Sequence, residues 1–384
     1  MNPTLPTPSP EAKALSDALT SQIMNEIVVN GPISFARYMS LALYTPQLGY
    51  YQNPLKKIGR EGDFTTAPEI SPLFSYCLAN QCAELLAQLK DGCIIEFGAG
   101  SGKMAADILV ALKAKNQLPI TYYIVELSAT LKARQAETIS HIAPDCVDRV
   151  VWLSQLPEQP IEAVILANEV LDAMPVTLFT MQDGIKECGI TIENNALAYC
   201  VLEAENSMLK DTIEKYAISF SENYYSEVNL YLPGWISSLS AVLSRGAVLL
   251  IDYGFPRHEY YHPDRTMGTL MCHYQQLAHS NPLIYPGLQD ITAHVDFTAV
   301  AEAAVNHDFS VVGFTNQAAF LIHCDLLSCM NNAMDEKGRI FQNQQVMRLT
   351  SPSEMGELFK VMGLSKNMTT DWMGFKTMNQ LMRL

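Results

Sequence analysis

Cys93-Ile94-Ile95-Glu96-Phe97-Gly98-Ala99-Gly100-Ser101-Gly102-Lys103 is the stretch whose reading decides the fold. The apolar run Cys93–Ile95 reads as a buried parallel strand, and it stops at three glycines spaced two apart. Gly98, Gly100 and Gly102 let the backbone turn sharply and approach a ligand where a side chain would clash. Met104, Ile108, Leu109 and Leu112 then recur at helical spacing, so a helix over Lys103–Lys113 follows directly. Strand, glycine turn and helix N-terminus together make a nucleotide-type site at the carboxyl end of an α/β sheet.

Which nucleotide follows from what the motif lacks. A dinucleotide fingerprint needs glycine at 103, which is lysine. A phosphate-binding loop needs four residues between its glycines and a hydroxyl residue at 104, which is methionine. Glu96-x-Gly98-x-Gly100-x-Gly102 instead resembles the first motif of class I S-adenosylmethionine (SAM) methyltransferases. SAM carries an ammonium and a sulfonium and no phosphate, so an acid two residues before the first glycine suits it.

The composition narrows the classes. A chain of 384 residues with 48% hydrophobic content can bury a large core. A net charge of −15 argues against a nucleic-acid surface and suits a cationic substrate. Nine scattered cysteines without a C-x-x-C pair signal neither a disulfide framework nor a metal site, and fit a reducing cytosol. No apolar run reaches membrane-spanning length, and no leader signature is read at the N-terminus, so a cytoplasmic protein is expected.

Helices are expected over Glu11–Val29, Phe35–Leu43 and Pro72–Leu89, the last with Ser71 as cap. Between them Gly62–Glu69 is read either as a substrate-side loop or as an ordinary capped one. Ile120–Val125 is a second strand ending at Glu126, roughly 20 residues past the glycine turn and placed to accept ribose hydroxyls. Val150–Leu153 is a third strand, with Trp152 either an adenine neighbour or plain core. Ile161–Ala167 is a fourth, ending at Asn168. Beyond it, a helical turn would put the carboxylates of Glu169 and Asp172 on one side. Val176–Met181, Ile185–Ile192 and Ala196–Leu202 form a β-meander by their turn residues. Ala247–Ile251 is a fifth strand, and Gln317–Asn331 is expected as a helix. The stretch from Phe255 to Phe297 carries His258, His262, His273, His279 and His294 without regular periodicity, and is read as a lid.

With Gly62-Asp63-Phe64, Pro68-Glu69, Glu96–Gly102, Asn168-Glu169, Asp172-Ala173, Asp252-Tyr253-Gly254 and Thr292-Ala293-His294-Val295-Asp296-Phe297 in order, the chain resembles the MidA-like SAM-dependent methyltransferases. The resemblance runs from about Ile33 to near Leu364. It implies a class I, Rossmann-like, mostly parallel sheet with an N-terminal helical cap, an inserted β-meander and a lid. The expected domains are a cap at 1–90, core at 91–175, inserted meander and helices at 176–245, and core again at 246–384 with the lid at 255–297. Mitochondrial members are protein-arginine methyltransferases that support respiratory complex I assembly, so the resemblance implies SAM as cofactor and an arginine side chain of a protein as acceptor. Carried over by motif, Glu96, Gly98, Gly100, Gly102, Glu126 and Asn168 would bind the cofactor. Asp63, Glu69, Glu169 and Asp172 would face the substrate. Glu169 and Asp172 are the expected guanidinium clamp, with Glu69 and Asp296 in reserve, and no metal is called for. A homodimer is an open expectation; nucleic acid and membrane insertion are not expected. The alternatives are a small-molecule N- or O-methyltransferase and a SAM-binding assembly chaperone without essential catalysis.

Overall fold

The apolar run before the glycines is the central strand of a sheet built from both halves of the chain. In chain order its strands are β1 (Cys93–Phe97), β2 (Tyr122–Val125), β3 (Val150–Leu153), β4 (Ile161–Asn168), β5 (Leu243–Phe255), β6 (Val295–Asp296), β7 (Ser310–Asn316) and β8 (Phe359–Lys366). The order across the sheet is β3-β2-β1-β4-β5-β8-β7, with β6 beside β5. Pairings from β3 to β5, and of β6 with β5, are parallel; β8 runs antiparallel to both neighbours. The chain leaves β1 for β2 and β3 on one side, then returns to the other for β4 and β5. That reversal between β1 and β4 is the switch point at whose carboxyl edge open α/β sheets bind ligands. Phe97 lies opposite both Val125 and Ala167, so Gly98, Glu126 and Asn168 all follow at that edge.

The structure is a computed structural model that describes residues 5–55, 66–203, 206–330 and 335–384. They divide into two units. The core unit holds the described residues of Thr65–Leu171, Pro233–Pro256 and Val295–Leu384. Helices α1 (Pro72–Leu86), α2 (Lys103–Ala114) and α3 (Ala129–Ile142) belong to it. Ser71 Oγ accepts the Leu73 N–H at 3.3 Å, and Pro72 occupies the first turn of α1, where a missing donor costs nothing. α1 is buried almost all round, against the face of the sheet that carries Ile94, Val164 and Leu249. At Gly254, a Cβ would lie 2.2 Å from the Val295 carbonyl oxygen, so glycine there is what lets β6 pair.

The second unit combines the described residues of Met1–Phe64 with Asp172–Leu232 and Arg257–His294. The meander forms as expected: Thr177–Met181, Ile185–Glu193 and Ala196–Val201 pair antiparallel. Asp183-Gly184 and Asn194-Asn195 take positive φ at both central positions, the geometry that matches strand twist in tight hairpins. Ile33–Ser34 and Tyr225–Val228 complete this five-stranded sheet.

Three expectations change. α1 belongs to the core rather than to a cap reaching residue 90, because its buried face packs on the sheet. The helix expected from Gln317 stops at His323, where Asp325 turns left-handed, and resumes over Leu326–Cys329. The lid is not irregular. Met271–Tyr274, Leu277–His279 and Asp290–Thr292 form a three-stranded antiparallel sheet, and Cys272, Ile291 and Ala293 are buried in one cluster with Leu19, Tyr38 and Met39. Its strands are three or four residues long, too short for a period to be read from the sequence. Burial also holds the pKa of His273 and His279 below the usual range. Among the described residues, no helix is long and apolar enough to cross a membrane.

Candidate active site

The glycine turn is left-handed at each glycine: φ is +61° at Gly98, +53° at Gly100 and +83° at Gly102. L-residues avoid that region, so this backbone path is open only to glycine at low cost. The Gly102 N–H donates to the Ala99 carbonyl at 2.7 Å, and α2 starts one residue later with its first N–H groups unbonded within the helix. Lys103, the residue that breaks the dinucleotide fingerprint, pairs with the buried Asp107 at 2.6 Å on the next turn.

Around the turn stand the acids that the sequence singled out. Glu126, only 9% exposed, takes the Ser128 N–H on Oε1 at 2.8 Å and the Gln135 amide on Oε2 at 3.0 Å. Two protein donors fix its rotation, and each oxygen retains a lone pair for a ribose hydroxyl. Asn168 donates from Nδ2 to Glu169 Oε1 at 3.1 Å, while its Oδ1 is buried and has no partner. An orphaned buried acceptor of this kind is what a ligand ammonium satisfies. Glu69 is brought to the turn itself: its Oε1 accepts a short hydrogen bond from the Ser101 hydroxyl, whose oxygen accepts the Lys103 N–H at 3.3 Å.

Glu96 is placed differently from the open strand-end acid the motif suggested. It is 1% exposed and its Oε2 accepts the Tyr122 hydroxyl at 2.6 Å. Burial pushes its pKa up to about 7 from the ordinary 4.5, with the Tyr122 bond opposing the shift. The native state therefore binds the extra proton between those values, and stability falls as pH rises from about 4.5 to about 7. At about 1.4 kcal/mol per pKa unit, this group alone contributes about 3 kcal/mol of slope. Glu96→Gln keeps an acceptor for Tyr122 and removes the titration. In the ligand-free protein, its melting temperature is expected to fall less between pH 5 and pH 8 than that of wild type. Parallel falls would show that Glu96 stays ionised throughout.

The expected clamp loses its geometric premise. No helical turn spans 169–172: Glu169 is left-handed at φ +54°, and its N–H donates to the Ile251 carbonyl at 2.9 Å, prolonging the β4–β5 ladder. The Leu171 N–H donates to Oδ2 of the buried Asp252 at 3.0 Å, which braces the exit from β4. A left-handed non-glycine residue at a strand end is the kind of stored strain found at working sites. Asp172 opens the next segment of the second unit. There its carboxylate and that of Asp290 both raise the phenol pKa of Tyr44 and Tyr51, secondary to desolvation of the two hydroxyls, the Tyr44 side chain itself being 36% exposed. Tyr51 donates to Asp290 Oδ1 at 2.7 Å, and both acids are 4% exposed. Asp296 caps the helix Phe297–Asn306, its Oδ1 accepting from Thr298 and Ala299 at 3.0 and 3.1 Å. Asp63 lies outside the described residues.

Sequence reasoning missed Gln135 and Asp290. A signal for Gln135 existed: it shares a helical face with Ile139, four residues on, where an apolar residue would be ordinary.

The left-handed glycine turn at a switch point, with an acid at the end of the strand on one side and an orphaned amide oxygen at the end of the strand on the other, fits SAM rather than a phosphate ligand. A family model for S-adenosyl-L-methionine-dependent methyltransferases matches residues 77–315. The chain belongs to that family. The ordered motifs of the sequence pointed to the same membership. A crystal structure of a superfamily member from Burkholderia thailandensis, bound to S-adenosyl-homocysteine (SAH), matches with a TM-score of 0.94 at 41% identity, covering 99% of this chain and 100% of that one. The mitochondrial protein arginine methyltransferase NDUFAF7 homolog of Drosophila melanogaster is 28% identical over 401 residues, covering 94% of this chain and 87% of that protein. The Danio rerio protein arginine methyltransferase NDUFAF7, mitochondrial, is 27% identical over 380 residues, covering 91% and 87%. The methyltransferase is thus a SAM-dependent enzyme with a class I, Rossmann-like core. One expectation is overturned: these relatives are named as mitochondrial, against the cytoplasmic reading. Scattered thiols report reducing surroundings, which do not by themselves identify a compartment.

Proposed function

We propose that this methyltransferase modifies an arginine side chain of a protein substrate, and through it supports assembly of a respiratory complex. The observation that carries the reading is the pair of relatives named as protein arginine methyltransferases, which match over more than nine-tenths of this chain. A net charge of −15 is compatible with a cationic acceptor.

When bound, SAM supplies a methyl carbon already activated by its sulfonium. The chain's own task is positioning and electrostatics. In this reading the glycine turn and Asn168 hold the methionine end, Glu126 holds the ribose, and Glu96 backs the turn from within the sheet. A guanidinium nitrogen is a poor nucleophile because it shares the positive charge. Carboxylates bonded to the other nitrogens draw that charge away and fix the angle of attack. Glu169, in the same unit as the glycine turn, is the acid we assign to this work.

The test is incubation of purified protein with radiolabelled SAM and lysate from a strain deleted for the gene, followed by hydrolysis and search for methylarginine. Wild type is expected to label a protein band that a Gly102→Val control does not. Label confined to small molecules would replace the reading with a small-molecule methyltransferase. Rescue of the deletion strain by Gly102→Val, without any labelled band, would replace it with an assembly chaperone.

A further inference from the structure

Helix α3 turns a glutamine inward. Gln135 and Ile139 are the buried positions of that helix, and Gln135 has no exposed surface. A side-chain amide brings two N–H donors and one strong acceptor oxygen, all of which need partners in the interior. Its Nε2 donates to the Gly100 carbonyl at 3.2 Å and to Glu126 Oε2 at 3.0 Å, and its Oε1 accepts the Trp152 indole N–H at 2.9 Å. Those partners come from the glycine turn, from the residue after β2 and from β3. The helix backbone also closes on the turn: a Cβ at Gly102 would lie 2.8 Å from the Gln135 Cα.

We propose that Gln135 is a positioning residue for the adenosine half of SAM. By donating to Oε2 it sets the rotation of the Glu126 carboxylate toward the ribose. By accepting from Trp152 it fixes the plane of the indole beside it, and by donating to Gly100 it ties both to the turn. One amide thus locks three separately encoded surfaces into one geometry. The inference rests on Glu126 as the ribose acceptor and is independent of which acceptor is methylated.

Calorimetric titration of SAH and of adenosine against wild type, Gln135→Met and Gln135→Glu tests this, with a melting temperature recorded for each protein. Methionine keeps the length and removes the donors. Losing a hydrogen bond to a charged group should weaken both SAH and adenosine about ten- to hundredfold. In Gln135→Glu two acids face each other. At pH 8 they repel and binding is weak; at pH 5 a shared proton restores a donor to Glu126, and affinity recovers about tenfold relative to wild type at the same pH. A merely structural glutamine would lower the melting temperature without this pH signature. Wild-type affinity in folded Gln135→Met, or no recovery at pH 5 in Gln135→Glu, overturns the proposal. A loss for SAH that adenosine does not share overturns the adenosine assignment. Should Gln135→Met not fold, the pH profile of Gln135→Glu decides alone.

Discussion

Gly102→Val is expected to abolish cofactor binding, with SAH affinity down by at least about a hundredfold. Two independent penalties act at this position. A β-branched residue at φ +83° is held in a conformation that costs roughly 1–2 kcal/mol. The added Cβ would also stand 2.8 Å from the Cα of Gln135, a backbone atom on a packed helix that cannot swing aside. Overpacking of that kind costs roughly 1–3 kcal/mol, and any relief must shift either the turn or α3. The turn would meet the cofactor directly and α3 orients Glu126 through Gln135, so relaxing the clash spoils the site. Calorimetry with SAH, beside a thermal melt, checks this. A stable variant that binds SAH normally would show that the turn is not the cofactor's cradle.

Glu169→Gln is expected to lower methyl transfer by about a hundredfold while leaving SAH affinity within about twofold. The substitution preserves shape and the bond from Asn168 Nδ2, and removes only the charge. Its backbone supplies a second arm. Glu169 is left-handed at φ +54°, so Glu169→Gly relieves strain while removing the side chain altogether. That variant should melt no lower than wild type and lose transfer at least as fully as Glu169→Gln, the pattern of a residue kept for activity at some expense of stability. Single-turnover transfer to the labelled substrate band is the readout. Undiminished transfer in Glu169→Gln would remove this acid from the mechanism.

What the sequence by itself determined was local. The run Cys93–Phe97 and the glycines after it specify a strand and a turn that few backbones other than this one accommodate. Asp183-Gly184 and Asn194-Asn195 specify hairpins through residues that tolerate positive φ. Asp252 and Gly254 were visible as a motif, although not as a brace for Leu171 and a contact surface for Val295. In each case a few neighbouring residues carry the whole constraint, so no distant partner has to be known.

Only the tertiary structure decided how polar groups are used. Gln135 lies 35 residues from Gly100 and 9 from Glu126, and in sequence it is one more polar residue on an amphipathic helix. Its role exists because α3 packs that face against the turn. Glu96 reads as a strand-end acid, yet the pleat sends it to the buried face where Tyr122 waits, and burial rather than charge then sets its pKa. Glu169 and Asp172 read as one helical pair, but the chain turns left-handed at Glu169 and Asp172 finds Asp290, 118 residues away, acting on the same tyrosines. The supposed lid had no periodicity to read because its strands are short, and two of them complete a core supplied by residues far along the chain. Hydrophobic pattern and turn chemistry act over a few residues and are written in order. The fate of a buried acid or amide depends on which donor is carried to it by packing, and that is fixed only when the sheet closes.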